Sequence, residues 1–184
     1  MPEGKKFAYT IGGKWLEDLN REFAGSERGC AVLAAAVLDE RLLALLKKYL
    51  LPAKSKKDDK LFGASGAANS FSSRIELARR LNLISKNCAD ALDQIRTIRN
   101  IAAHSSNFSF DTDKLKDIVS GIVQLLELQK RLPVLLEPPY DSIRGRFTAS
   151  TFMLVCVLEI ECGEVSQTNN HPVNVIDGLK YSGT

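Results

Sequence analysis

The chain has 184 residues, 45% of them apolar and 26% charged, the proportions of an ordinary globular domain that can bury a core without disulfide or metal staples. Its net charge of +3 and pI near 8.7 permit contact with nucleic acid but lack the clustered basicity of a dedicated nucleic-acid module. The four cysteines form no CxxC pair and the two histidines, His104 and His171, lie away from them, so neither a metal site nor a cofactor is expected.

The pattern is helical nearly throughout. Residues 1–13 read as an N-terminal tail without a charged-then-apolar leader, and the expected compartment is the cytoplasm. Lys14 to Phe23 spaces Trp15, Leu16, Leu19 and Phe23 at helical intervals. Ala24-Gly25-Ser26 breaks that pattern, and Ser26 is placed to cap a long helix over about Glu27–Leu51, which Pro52 stops. Pro52 to Ser70 is a surface loop whose small charge cluster, Lys54 to Lys60, nearly cancels itself. Further helices fit Phe71–Leu81, about Asn87–Ala103, and a stretch capped by Asp111 or Thr112 that runs to about Arg131. Pro133 and Pro138-Pro139 mark a connector. Ile143–Glu161 is β-branched enough at TFMLVCVLEI to pass for a strand, but its length and company favour a helix. Its apolar run, Phe152 to Leu158, is too short to cross a bilayer, and no membrane contact is expected. The expected fold is all-α: a compact bundle of five to six helices over 14–161, with a flexible C-terminal tail over 162–184.

Helix phase points to charges inside the bundle. On the second helical stretch an apolar stripe reads Val32, Ala35, Ala36, Leu42, Leu43, Leu46, and Asp39 falls on it. On the stretch 87–103 the stripe is Leu92, Ile95, Ala102, with Arg99 between. A charge on a buried seam must be paired, so Asp39 or Glu40 is expected to meet Arg74, Arg96 or Arg99 in an internal polar cluster.

The segment QIRTIRNIAAHS, Gln94 to Ser105, is the most informative in the chain. Together with RGCAVLAAAVLDERLLALL (Arg28 to Leu46), SFSSRIELARRLNLIS (Ser70 to Ser85) and SFD (Ser109 to Asp111), it resembles the MltR-type mannitol operon repressor family across about residues 14–128. That resemblance implies an all-helical bacterial protein acting in transcriptional regulation. Where that family usually carries a bulky aromatic before the Ala–His pair, this chain has Ala102. The same segment is similar to the HEPN superfamily of helical bundles. That likeness implies a metal-independent ribonuclease site of Arg99, Asn100 and His104, completed in a homodimer. In such a site Arg99 would steady the charge on the scissile phosphate, Asn100 would orient, and His104 would move the proton. The alternative is structural: Arg99 paired to Asp39, and His104 capping the carbonyl end of its helix.

A helix-turn-helix reading of the two central helices fails on charge. The candidate recognition helix opens Asn87-Cys88-Ala89-Asp90 and adds Asp93, which would repel phosphate. Sequence-specific duplex binding is therefore not expected. The sequence favours a non-enzymatic regulatory module with a protein partner and possible homodimerisation. The alternative is a ribonuclease, the only reading in which RNA is a partner.

Overall fold

A computed structural model describes residues 21, 23–53, 55, 59–131, 138 and 140–164. Outside them lie the tail 1–13, the expected helical residues Trp15, Leu16 and Leu19, most of the Lys54–Lys60 cluster, Pro133 and the residues from 165 onward. Six helices are bounded within the described chain: α1 Glu27–Tyr49, α2 Phe71–Arg80, α3 Lys86–His104, α4 Asp113–Leu125, α5 Leu128–Arg131 and α6 Ile143–Glu164; Arg21 and Phe23, before them, are also helical. There is no strand among the described residues. The fold is an all-α bundle. No helix among the described residues is long and apolar enough to cross a membrane.

Local chemistry starts most of these helices. Ser26 accepts from the Gly29 amide at 3.0 Å and Ser85 from the Cys88 amide at 3.2 Å, each meeting one of the free N–H groups of a first turn. At α2 the bonding is reciprocal: the Ser73 amide donates to Ser70 Oγ at 3.2 Å and the Ser70 amide to Ser73 Oγ at 3.1 Å. Asn82 ends the α2 turn at φ 57°, a conformation asparagine tolerates, and this lets the Leu83 amide reach the Ala78 carbonyl.

The central helix is α3, which packs against α1, α2 and α4, while α6 closes the bundle against α1 and α4. Cys88, Leu92, Ile95, Ile98 and Ala102 of α3 all point inward. A buried ring pair, Phe110 on Phe147 at 4.9 Å between centroids, joins the turn before α4 to α6, and Phe23 meets Phe152 at 5.7 Å.

The ambiguous stretch is a helix because its hydroxyls are satisfied within it. Buried Thr148, Ser150 and Thr151 donate to the carbonyls of Arg144, Arg146 and Phe147, four residues back, at 2.8–3.0 Å. It also runs past the expected end at Glu161 to Glu164, where Lys48 Nζ donates to the Cys162 and Gly163 carbonyls.

The stretch expected as one helix to about Arg131 is two. Glu127 takes φ 50°, and this break turns fully buried Leu128 into the core. The phase of α1 also differs from expectation. Its inward face is Ala31, Ala34, Ala35, Leu38, Leu42, Leu45 and Leu46, leaving Val32 (41% exposed) and Ala36 outward. Residues 30–38 are all apolar, so periodicity alone cannot fix which side faces the core.

Arg74 ties α1 to α2. Its Nη1 donates to Asp39 Oδ1 at 2.7 Å, its Nε to the Ala68 carbonyl at 3.0 Å and its Nη2 to the Asn69 carbonyl at 3.2 Å. The Arg74 side chain is 11% exposed and that of Asp39 is 29% exposed. Loss of Asp39 leaves Arg74 two of its three acceptors, whereas loss of Arg74 orphans both carbonyls and the carboxylate. Asp39→Ala should cost about 1–2 kcal/mol and Arg74→Ala about 3 kcal/mol or more. Denaturant melts check the order, and equal losses would show that the pair alone matters.

Two helical glycines should respond with opposite sign. A Cβ at Gly121 would lie 3.0 Å from Gln94 Oε1, the end of a flexible side chain whose buried oxygen has no partner. Gln94 can swing into the open polar cleft beside it, so Gly121→Ala should stabilise by about 0.5–1 kcal/mol through helix propensity. A Cβ at Gly145 would lie 2.6 Å from Tyr140 Cα, which is backbone, and Gly145→Ala should cost about 1–3 kcal/mol. Paired thermal melts read both signs.

Burial pushes the Cys88 thiol up from 9.0 to about 12, and Glu161 adds to the shift. A thiol held protonated in the fold stabilises it fully below the unfolded pKa and progressively less as pH rises from about 9 to about 12. Cys88→Ser, which titrates nowhere in that window, should flatten this alkaline loss in melts between pH 8 and pH 10.5, and an unchanged slope would mean other groups cause it.

Candidate functional site

The site residues of α3 are placed by what holds its C-terminal end. The Ser105 amide donates to the Ile101 carbonyl and closes the last turn. The Arg28 guanidinium, from the first turn of α1, donates to the carbonyls of Ser105 and of Ser106, the latter at 2.7 Å. Next to it, Glu27 Oε2 accepts from the Phe110 amide at 3.1 Å. The N-terminus of α1 is thus sewn to the segment that follows α3. Arg28 meets carbonyls just past the end of the helix, where the sequence suggests a cap by His104; the His104 side chain is exposed and makes no hydrogen bond or ion pair among the described residues.

The expected polar cluster is divided. Asp39 and Arg74 are joined, as described above. Arg96 instead pairs within its own helix, its Nε donating to Asp93 Oδ1 at 2.9 Å. Glu40 is exposed. Arg99 is half-buried, and its side chain has no hydrogen bond or ion pair among the described residues. It lines a cleft of about 370 Å³ between α1 and α3. Val32, Ala36 and Ala103 form the apolar rim of that cleft, Ala35 and Phe71 lie deeper, and Asp39 stands at the α2 end.

Arg99, Asn100 and His104 do not converge within one chain. Asn100 and His104 share a helix face at i and i+4, whereas Arg99 and His104 are separated by roughly 140° around the axis. Arg99 faces the cleft, and His104 is not among its lining residues. Asn100 is half-buried, also without a side-chain hydrogen bond among the described residues.

This arrangement can bind an anion. Asp39 is neutralised by Arg74, so Arg99 is the uncompensated charge of the cleft, and a guanidinium offers a planar fork of donors suited to a carboxylate or phosphate. Sequence reasoning missed two features: the outward apolar rim of α1 and the Arg28 clamp. The second leaves a signal, because a cation in the first turn opposes the helix dipole and is expected there only if it is used elsewhere.

No curated protein and no solved structure matches the chain. A family model described as a domain of unknown function, DUF4145, matches residues 23–136. The match takes in α1 to α5, including every residue of the cleft, and stops short of α6. The chain belongs to the DUF4145 family.

Proposed function

We propose that this protein is a non-enzymatic regulatory module, like the mannitol operon repressors its sequence resembles, and that it acts on transcription through a bound protein or ligand. The observation that carries this reading is the α1/α3 cleft, where exposed apolar side chains surround a guanidinium with no hydrogen-bond or ion-pair partner among the described residues. Apolar side chains around a single charged donor group are the usual composition of a binding surface. Direct DNA reading finds no support in α3. That helix is enclosed by α1, α2 and α4, its first turn buries Cys88 and Ala89, and Lys86 there is paired with Asp90 at 2.6 Å.

One observation favours a second reading, a homodimeric ribonuclease using Arg99, Asn100 and His104. His104 is exposed and Arg99 is half-exposed, so substrate could reach both. Against it stands their divergence around the helix, which a second protomer would have to overcome.

One set of assays separates these readings. Single-stranded RNA should survive incubation with the protein, with or without divalent metal, and a duplex operator fragment should not be retained at physiological salt. His104→Ala should change stability by less than about 0.5 kcal/mol, since an exposed side chain without a partner is lost. Metal-independent cleavage that vanishes in a folded His104→Ala variant would overturn the regulatory reading in favour of the enzyme, and salt-tolerant operator retention would replace it with direct DNA reading.

A further inference from the structure

We infer that the α1/α3 cleft receives an acidic amphipathic helix from a partner protein, with Arg99 taking its carboxylate. This rests on the reading of the protein as an interaction module and adds the chemistry of what it binds.

The shape comes from α1 and α3. Val32 is 41% exposed, and Ala36 and Ala103 are exposed on facing helices. Alanine side chains keep both backbones within reach, so a third helix can settle between them at an ordinary helix-packing separation of about 8–10 Å. The rim contributes methyl groups alone, so the matching face of the partner must be apolar.

Charge sets the polar part of the match. Every donating nitrogen of Arg74 is committed, to Asp39 and to the carbonyls of Ala68 and Asn69. The Asp39–Arg74 pair therefore adds no net charge to the cleft, and Arg99 adds one positive charge in half-buried, mostly apolar surroundings. The Arg99 nitrogens are not buried, so a carboxylate competes there with water, and it does so by offering two acceptors in one plane. A nucleic acid is the poorer fit. Phosphate-backbone binding draws on several cations, and this cleft offers one, with exposed Glu40 one turn beyond Ala36. The partner is thus a helix presenting small apolar residues with Asp or Glu at their edge.

The test uses a library of displayed helical peptides selected on the full chain and counter-selected on Val32→Glu. Enriched sequences should carry Asp or Glu flanking small apolar positions. A synthetic peptide from the enriched pool should lose about tenfold or more in affinity for Arg99→Gln, as expected for a charge-assisted pair. Exchanging its acid for Lys should restore binding to Arg99→Glu, while Lys114→Glu, an exposed change on α4, should leave affinity alone. Thermal melts establish that each variant is folded.

Several outcomes would overturn the inference: no enrichment over the counter-selection, binders indifferent to Arg99→Glu, or displacement of the peptide by a short free carboxylate such as butyrate. Sedimentation of the protein alone is a further arm. A dimer that Val32→Glu dissociates would assign the cleft to a second copy of the chain and likewise overturn it. If RNA is left intact while selection fails, this inference falls and the regulatory reading stands. If RNA is cleaved through His104, the regulatory reading itself falls.

Discussion

Helix ends in this bundle are held by cations that come from other parts of the chain. The last carbonyls of a helix have no partner within it, and in a bundle they must be met by water or by a neighbour. Here Lys48 meets carbonyls in the last turn of α6, and other cations hold the segments beside helix ends: Arg28 the carbonyls of Ser105 and Ser106 just past α3, Arg144 those of Phe23 and Gly25 before α1, and Arg74 those of Ala68 and Asn69 in the loop before its own helix. The Arg28, Lys48 and Arg144 bonds cross between elements, so each fixes both a segment beside a helix end and the placing of its neighbour, while those of Arg74 fasten the loop before α2. This use of basic side chains also bears on the positive net charge. Several of these cations are engaged with the backbone and are not available as a patch for nucleic acid.

The cleft follows from that constraint. Asp39 could in principle have neutralised either Arg74 or Arg99. Arg74 wins because two carbonyls already orient its guanidinium toward α1, so forming the ion pair costs little further side-chain order. Arg99 is then left without an acid among the described residues. The charge at the candidate site is thus a by-product of how the loop before α2 is fastened, and it would change with any substitution that releases Arg74.

How far the sequence could be read differs from element to element. The helix start at Ser26 was visible because a cap is a local event decided within four residues, whereas the caps at Ser70 and Ser85 were not read from the sequence and Thr112 starts α4 without a side-chain cap bond. Asp39 does pair with Arg74, one of the partners expected, but the stripe from which the pair was read, with Val32 and Ala36, faces outward, and the Asp39 side chain is 29% exposed. The phase of α1 was not visible. With residues 30–38 all apolar, several faces satisfy the same period, and only packing against α3 and α6 selects one. That choice turns Val32 and Ala36 outward and creates the cleft rim, so the most informative part of the site was hidden by the least periodic part of the sequence. The break at Glu127 was hidden for a related reason. Glutamate is a good helix former, and its left-handed backbone is imposed by the burial of Leu128 rather than by local preference.

Burial also says something about where the folding unit ends. Phe147, Leu154, Val155 and Leu158 of α6 are at most 1% exposed and belong to the same core as α1, α3 and α4. The family match ends at residue 136, before any of them. A chain cut there would bare the faces of α1 and α4 that α6 covers, and would free the carbonyl clamp of Lys48 at the far end of α1. The cleft rim on α1 sits on the same helix, so its shape depends on a segment that contributes no residue to the site. The outward turn of Val32 and Ala36 is in this sense set by α6: the helix that occupies one side of α1 decides which side is left to bind.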